Sequence, residues 1–182
     1  MNTKRRGSAT GYVNFFDPEI ESIFALKSPR MPVEDRINDL SYGIKLNQLA
    51  YDRAKVGGVI SLFSVRKTPK LYELFYSADV EAFTKHYEEC EAAELYSSQI
   101  DAQDFWERLV AVESAETSSY YIVNIDEMNA NSHITRPITQ ANICVEYMTG
   151  TLPLSPQHRH RPDIGVCVLG NVNQGVVGIA EL

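Results

Sequence analysis

Segments with the two-residue period of a β-strand alternate along this chain with segments that have the period of a helix. Strand-like patterns occupy residues 10–16, 40–46, 59–65 and 120–125. Helix-like patterns lie between them at residues 18–27 and 47–56, and a helix-rich, acidic stretch covers residues 69–117. Because strand–helix–strand units place their strands side by side and parallel, the alternation predicts an α/β fold with a largely parallel sheet and helices packed outside it.

Residues that typically start or end helices support these boundaries. Asp17 followed by Pro18 predicts the start of the first helix, and Gly57-Gly58 predicts the end of the second. Beyond the last clear strand we expect a polar loop at residues 129–140. Further extended segments are predicted at residues 141–148 and 163–172.

Charge and cysteine content exclude several classes of protein. The net charge of −7 disfavours a nucleic-acid-binding surface, which needs clustered positive charge. Three widely spaced cysteines without a CxxC pair predict neither a disulfide framework nor a zinc site. No apolar run approaches the roughly 20 residues that cross a bilayer, and the polar start lacks the apolar core of a signal peptide. We therefore expect a cytoplasmic protein without membrane, nucleic-acid or metal partners.

The most informative polar residues are Asn142, Cys144 and Glu146, which alternate with Ile143, Val145 and Tyr147. In an extended backbone the three polar side chains would share one face, whereas in a helix Cys144 would point away from the other two. The apolar alternates favour the extended form. The spacing therefore predicts a thiol flanked by an amide and a carboxylate on a buried strand or finger loop.

A purely structural role for Cys144 is the competing interpretation, because a free cysteine often serves as a small core hydrophobe. Asn142 and Glu146 argue against it, since both are costly to bury without partners. Spacing alone leaves the two interpretations open. A cysteine-dependent hydrolase is a third interpretation, but none of the four histidines lies in a context typical of a base for Cys144.

The run Asn142-Ile143-Cys144-Val145-Glu146 resembles the active-site finger loop of the large, catalytic subunit of ribonucleotide reductase, where Asn-Leu-Cys-x-Glu is usual. Three other segments resemble the same family in the same order: residues 5–10 (RRGSAT), 57–64 (GGVISLFS) and 163–171 (DIGVCVLGN). The resemblance implies part of a ten-stranded α/β barrel. It also implies reduction of ribonucleoside diphosphates to deoxyribonucleotides by thiyl-radical chemistry.

The resemblance also assigns roles to residues. It implies that Cys144 forms the thiyl radical, that Glu146 accepts the proton of the 3′ hydroxyl and that Asn142 holds the sugar hydroxyls. Cys167 matches one half of the dithiol that supplies the reducing equivalents. Substrate contacts are implied at Arg5, Ser8 and Ala9 in the base-reading loop and at Ile143 beside the radical cysteine.

Partners follow from the same resemblance. It implies no cofactor bound directly by this chain, a radical supplied by a separate dimetal small subunit, and thioredoxin or glutaredoxin as external reductant. It also implies a homodimer of the complete large subunit. The family's second dithiol cysteine lies upstream of the base-reading loop.

We therefore expect residues 1–182 to form one barrel segment, truncated at both ends relative to the family and inactive without the missing segments. The alternative function is a non-catalytic remnant or binding fragment of that barrel.

Overall fold

The computed structural model describes residues 8–28, 31–37, 40–77, 79–113, 120–151 and 165. The chain divides into two compact units, Met1–Gly150 and Thr151–Leu182, and only residues 151 and 165 of the second unit are described. Arg5, Cys167 and nearly all of the predicted extended segment 163–172 lie outside the described residues.

The described residues of the first unit form five strands and six helices, in largely alternating order. The strands are β1 (Ala9–Asn14), β2 (Leu40–Leu46), β3 (Val59–Leu62), β4 (Ser98–Asp101) and β5 (Tyr120–Asn124). The helices are α1 (Ile20–Ala25), α2 (Gln48–Lys55), α3 (Pro69–Phe75), α4 (Val80–Ala92), α5 (Ala102–Glu113) and α6 (Ile125–Ala130), with a short 3-10 turn at Val33–Asp35. The predicted α/β alternation is confirmed.

A three-stranded parallel sheet holds β2 between β1 and β5. Its register aligns Tyr12, Gly43 and Tyr121 in one row across the three strands. β3 and β4 form a separate antiparallel pair. The sequence did not predict β4, because three of its four residues are polar and exposed and so show no apolar alternation.

Local signals mark several helix boundaries. The predicted start of the first helix at Asp17-Pro18 is wrong by about two residues, because α1 spans Ile20–Ala25 and the Asp17 carboxylate accepts a hydrogen bond from the Glu19 amide at 3.0 Å ahead of it. The carboxylate of Asp79 caps α4 by accepting a hydrogen bond from the Ala82 amide at 2.9 Å. α2 ends at Lys55, and Gly57, two residues later, has a left-handed φ of 65°, which suits a residue without a Cβ. A helix occupies residues 125–130, so the predicted polar loop begins after Ala130 instead of at residue 129.

An aromatic cluster forms much of the core. Phe15 and Phe16 follow β1 directly and are fully buried. The ring of Phe16 packs 5.1 Å from that of Phe75 on α3 and 5.6 Å from that of Phe83 on α4. Burial of each such ring stabilises the fold by about 2–3 kcal/mol. These contacts attach α3 and α4 to the end of β1.

The two faces of the parallel sheet differ in character. Tyr42, Ile44 and Tyr120 lie on the face covered by helices, where Tyr120 also packs against Phe24 of α1. Because successive side chains of a strand point to opposite sides, Thr10, Tyr12 and Asn14 of β1 lie on the other face. That second face carries the candidate site. In the described part of the chain, no helix has both the length and the apolar character needed to span a membrane.

Candidate functional site

Residues 141–148 form a compact loop, here called the finger loop. Ala141 and Met148 pair as an isolated antiparallel bridge at its base. Within it, the Asn142 amide donates to the Tyr147 carbonyl at 2.9 Å, and the Tyr147 amide donates to Asn142 Oδ1 at 3.0 Å. Val145 has a left-handed φ of 65°. The chain therefore reverses direction between Asn142 and Tyr147.

The expectation of a buried, extended segment here is wrong, and the loop form is the one observed. Cys144 and Glu146 are exposed, Asn142 is partly buried and Ile143 is 40% exposed. The physical reason is the Asn142 side chain, which closes the turn by accepting the Tyr147 amide hydrogen. Its Oδ1 is thereby engaged within the loop.

β1 holds the finger loop through two side chains. Thr10 Oγ1 donates to the carbonyl of Ile143 at 2.6 Å, and the Tyr12 hydroxyl donates to the carbonyl of Asn142. Thr10 and Tyr12 alternate along the strand, so both point to the same face of the sheet. The two residues before Cys144 are therefore anchored to the sheet by their backbone carbonyls.

Gly43 makes room for the Tyr12 ring. A Cβ on Gly43 would stand 2.3 Å from Tyr12 Cε1 and 2.4 Å from Cδ1, far closer than atoms can approach. Burial raises the pKa of Tyr12 to about 12, and Tyr121, Glu146 and Cys144 add to that shift. The Tyr12 hydroxyl consequently remains protonated at neutral pH and keeps its hydrogen to donate.

Lys45, two rows further along the sheet and on the same face as Gly43, binds the segment that leads into the finger loop. Its Nζ donates to the Thr139 carbonyl at 3.2 Å and to the Tyr76 hydroxyl at 2.5 Å, and that hydroxyl donates to Asn14 Oδ1 at 3.1 Å. Only 6% of Lys45 is exposed, and burial lowers the pKa of its amine to about 8. Thr10, Tyr12, Gly43 and Lys45 were not singled out by the sequence. The sequence signal that could have identified them is their two-residue spacing along β1 and β2, which places them on one face of the sheet.

A cavity of about 530 Å³ lies beside the finger loop, between it, β5 and α6. Glu146 lines this cavity, whereas Cys144 and Asn142 do not. Its charged lining groups are Glu127 and Glu146, both acidic. A phosphate group would be repelled there, so this cavity is not suited to the diphosphate of a nucleotide.

Of the other predicted site residues, Ser8, Ala9 and Ile143 are among the described residues, whereas Arg5 and Cys167 are not. Ser8 and Ala9 are exposed at the start of β1, next to the Thr10 that contacts Ile143. The fold therefore brings the three predicted contact residues Ser8, Ala9 and Ile143 to one region.

Cys90 is buried on α4, where its Sγ lies 3.8 Å from His86 Nε2. Burial raises the pKa of the Cys90 thiol. Among the described residues, no cluster of three His, Cys, Asp or Glu side chains could hold a metal ion.

Known proteins resemble this chain over nearly its whole length. The family model described as the ribonucleotide reductase barrel domain matches residues 1–177. The chain is 34% identical over 177 residues to the ribonucleoside-diphosphate reductase subunit alpha of Buchnera aphidicola subsp. Schizaphis graminum, which covers 95% of this chain and 23% of that protein.

Two further relatives have similar names. The chain is 34% identical over 155 residues to ribonucleoside-diphosphate reductase 1 subunit alpha of Escherichia coli, covering 83% of this chain and 20% of that protein. It is 31% identical over 171 residues to the ribonucleoside-diphosphate reductase subunit alpha of Enterobacteria phage T4, covering 91% of this chain and 22% of that protein. The chain thus spans less than a quarter of the length of each of these relatives. On the extent of the family match and these identities, the chain belongs to the ribonucleotide reductase barrel-domain family.

Proposed function

We propose that this chain forms part of the catalytic subunit of a ribonucleoside-diphosphate reductase and carries its radical cysteine. The observation that supports this most directly is the finger loop, which presents an exposed Cys144 between Asn142 and Glu146 on a turn fixed to the sheet. A thiol that must reach a bound sugar needs exposure together with a fixed position. The loop provides both.

In the proposed reaction, a thiyl radical on Cys144 takes the 3′ hydrogen atom of the ribose. The S–H bond forms as the C–H bond breaks, and a carbon radical remains on the sugar. The weak S–H bond lets the same hydrogen atom return to the 3′ carbon at the end of the cycle. Cys144 is therefore regenerated in each turnover.

Glu146 and Asn142 act on the sugar hydroxyls in this proposal. The exposed Glu146 carboxylate accepts the proton of the 3′ hydroxyl, as a positioned general base can. Asn142 donates from Nδ2, since its Oδ1 already accepts the Tyr147 amide hydrogen within the loop. The Nδ2 hydrogens of Asn142 are therefore the ones that would donate to the sugar hydroxyls.

Loss of the 2′ hydroxyl completes the reduction. The hydroxyl leaves as water, and two electrons and two protons come from a dithiol that closes to a disulfide. We propose Cys167 as one thiol of that pair. The second thiol belongs to another segment of the large subunit, and thioredoxin or glutaredoxin reopens the disulfide.

Substrate binding and assembly extend the proposal. Arg5, Ser8, Ala9 and Ile143 would contact the ribonucleoside diphosphate. The three parallel strands described here would be part of a ten-stranded α/β barrel completed by further large-subunit segments. A separate dimetal small subunit would supply the radical, and the complete large subunit would act as a homodimer in the cytoplasm.

Reconstitution tests this function. The chain is mixed with separately produced flanking segments of a related alpha subunit and its small subunit, and conversion of a labelled ribonucleoside diphosphate is followed. We expect turnover that Cys144→Ala abolishes and that Cys90→Ala, a change at a buried thiol outside the finger loop, retains. Absence of turnover from every mixture, while the intact relative is active, would support the non-catalytic alternative.

A further inference from the structure

The hydroxyl groups of Thr10 and Tyr12 each donate to a different carbonyl of the finger loop. Thr10 Oγ1 donates to the Ile143 carbonyl at 2.6 Å, and the Tyr12 hydroxyl donates to the Asn142 carbonyl. Both donors come from one face of a strand that is hydrogen-bonded to β2 along its whole length. A rigid strand therefore holds two successive peptide groups immediately before Cys144.

We propose that Thr10 and Tyr12 are positioning residues that set the place of Cys144 relative to the sheet. This inference rests on the proposed function for its catalytic meaning, although the positioning itself does not depend on turnover. Hydrogen bonds to two adjacent carbonyls fix both the position and the orientation of the backbone at Asn142 and Ile143, whereas a single hydrogen bond would let this backbone rotate about it. The Cα of Cys144 lies in the plane of the peptide group that contains the Ile143 carbonyl, so fixing that peptide fixes the position of this atom.

The environment of Tyr12 supports a lasting donor role. Its ring occupies the space that a side chain on Gly43 would need, and the hydroxyl at the end of the ring donates to the Asn142 carbonyl. Burial raises the pKa of Tyr12 to about 12, with Glu146 and Cys144 contributing, so the hydroxyl remains a donor beside these groups. Because the Asn142 carbonyl also accepts from the Val145 amide at 3.4 Å, the same oxygen links the strand to the turn.

Backbone carbonyl chemical shifts test the proposal in the full chain without turnover. The Asn142 carbonyl carbon is observed through the Ile143 amide, and the Ile143 carbonyl carbon through the Cys144 amide. We expect Tyr12→Phe to shift the Asn142 carbonyl upfield and leave that of Ile143 nearly unchanged. We expect Thr10→Val to do the reverse, and Thr10→Ser, which keeps the hydroxyl, to restore the native shift.

Tyr120→Phe is the matched control, because it removes a tyrosine hydroxyl that donates to the Ile23 carbonyl at 2.6 Å in the same sheet. It should shift neither finger-loop carbonyl. Amide hydrogen exchange at Val145 and Tyr147 should accelerate about fivefold in Tyr12→Phe and stay at the native rate in Tyr120→Phe. Unchanged carbonyl shifts in both Tyr12→Phe and Thr10→Val would overturn the proposal. So would a Thr10→Ser chain that behaves like Thr10→Val.

Turnover in the reconstituted enzyme separates this inference from the proposed function. Misplacing a reacting group by a fraction of an ångström to one ångström costs about 10- to 100-fold in rate, so Tyr12→Phe should lower kcat by that factor with a much smaller change in KM. Equal kcat values for Tyr12→Phe and the unmodified chain would contradict the positioning role, even if the carbonyl chemical shifts change. If the unmodified chain never supports turnover, the proposed function fails while the carbonyl shifts still decide whether the two anchors hold the loop.

Discussion

The ring of Tyr12 lies across Gly43 of the neighbouring strand, at a place where a Gly43 side chain would stand 2.3 Å from the ring. The two residues are register partners in the parallel sheet. Gly43 thus determines how close Tyr12 lies to the sheet, and Tyr12 in turn contacts the finger loop.

Replacement of Gly43 should therefore disturb both stability and the finger loop. We expect Gly43→Ala to lower the free energy of unfolding by about 1–3 kcal/mol, because the ring must move to admit a methyl group. Urea denaturation measures this change. Gly11→Ala on β1 is the matched control, since its added Cβ would lie an ordinary 3.6 Å from Tyr42. In a Tyr12→Ala background the Gly43→Ala cost should largely vanish; an undiminished cost would show that the ring is not the cause.

Lys45 predicts a specific pH dependence. Burial lowers the pKa of its amine from the ordinary 10.5 to about 8 in the folded chain. Below pH 8 the amine is protonated in both folded and unfolded chains, and its effect on stability is constant. Above pH 8 the unfolded chain binds the proton that the folded chain has lost, so the free energy of unfolding rises with pH until about 10.5.

Lys45→Met removes this titration. The free energy of unfolding of the native chain minus that of Lys45→Met should rise by about 2 kcal/mol between pH 7 and pH 9.5. Chemical denaturation at several pH values measures it. A flat difference for Lys45→Met would mean that the Lys45 pKa is not lowered.

The ion pairs of Arg53 should differ sharply in strength. Glu91, only 16% exposed, binds Arg53 at 2.7 Å and also accepts from the Ser61 hydroxyl at 2.6 Å. Glu88, 60% exposed, lies 3.8 Å from the same guanidinium. We expect Glu91→Gln to cost about 2–3 kcal/mol of stability and Glu88→Gln less than about 0.5 kcal/mol. Comparable losses in thermal or urea unfolding would contradict the difference assigned to burial.

Cys144 and Cys90 should differ in reactivity. Cys144 is exposed, whereas Cys90 is buried and its thiol pKa is raised by that burial. Iodoacetamide labelling resolved by peptide mass spectrometry should therefore modify Cys90 at least about 100-fold more slowly than Cys144, because a buried thiol reacts only after local opening. In denaturant the two rates should converge. Fast native labelling of Cys90 would be inconsistent with its place in the α4 core.

The chain's sequence determined most of its strands and helices and the residue types of the candidate site. Residues 40–46 form β2 as predicted, because alternating apolar residues and flanking turn signals are local information. Asn142, Cys144 and Glu146 stood out for a similar reason, since their residue types carry recognisable chemistry wherever the backbone places them. The sequence did not predict β4, because this segment is a strand through its pairing with β3 and has no strand-like hydrophobic pattern of its own.

Tertiary structure alone decided the form of the finger loop and what holds it. Periodicity predicted an extended segment, but an Asn142 side-chain hydrogen bond and contacts from Thr10 and Tyr12, which lie 133 and 130 residues earlier in the chain than their partners, make it a turn. Such contacts depend on register between distant strands, which places Tyr12 above Gly43 and beside the loop. No local pattern encodes that register. It follows from burying one face of the sheet under the helices and thereby directing the alternate side chains to the other.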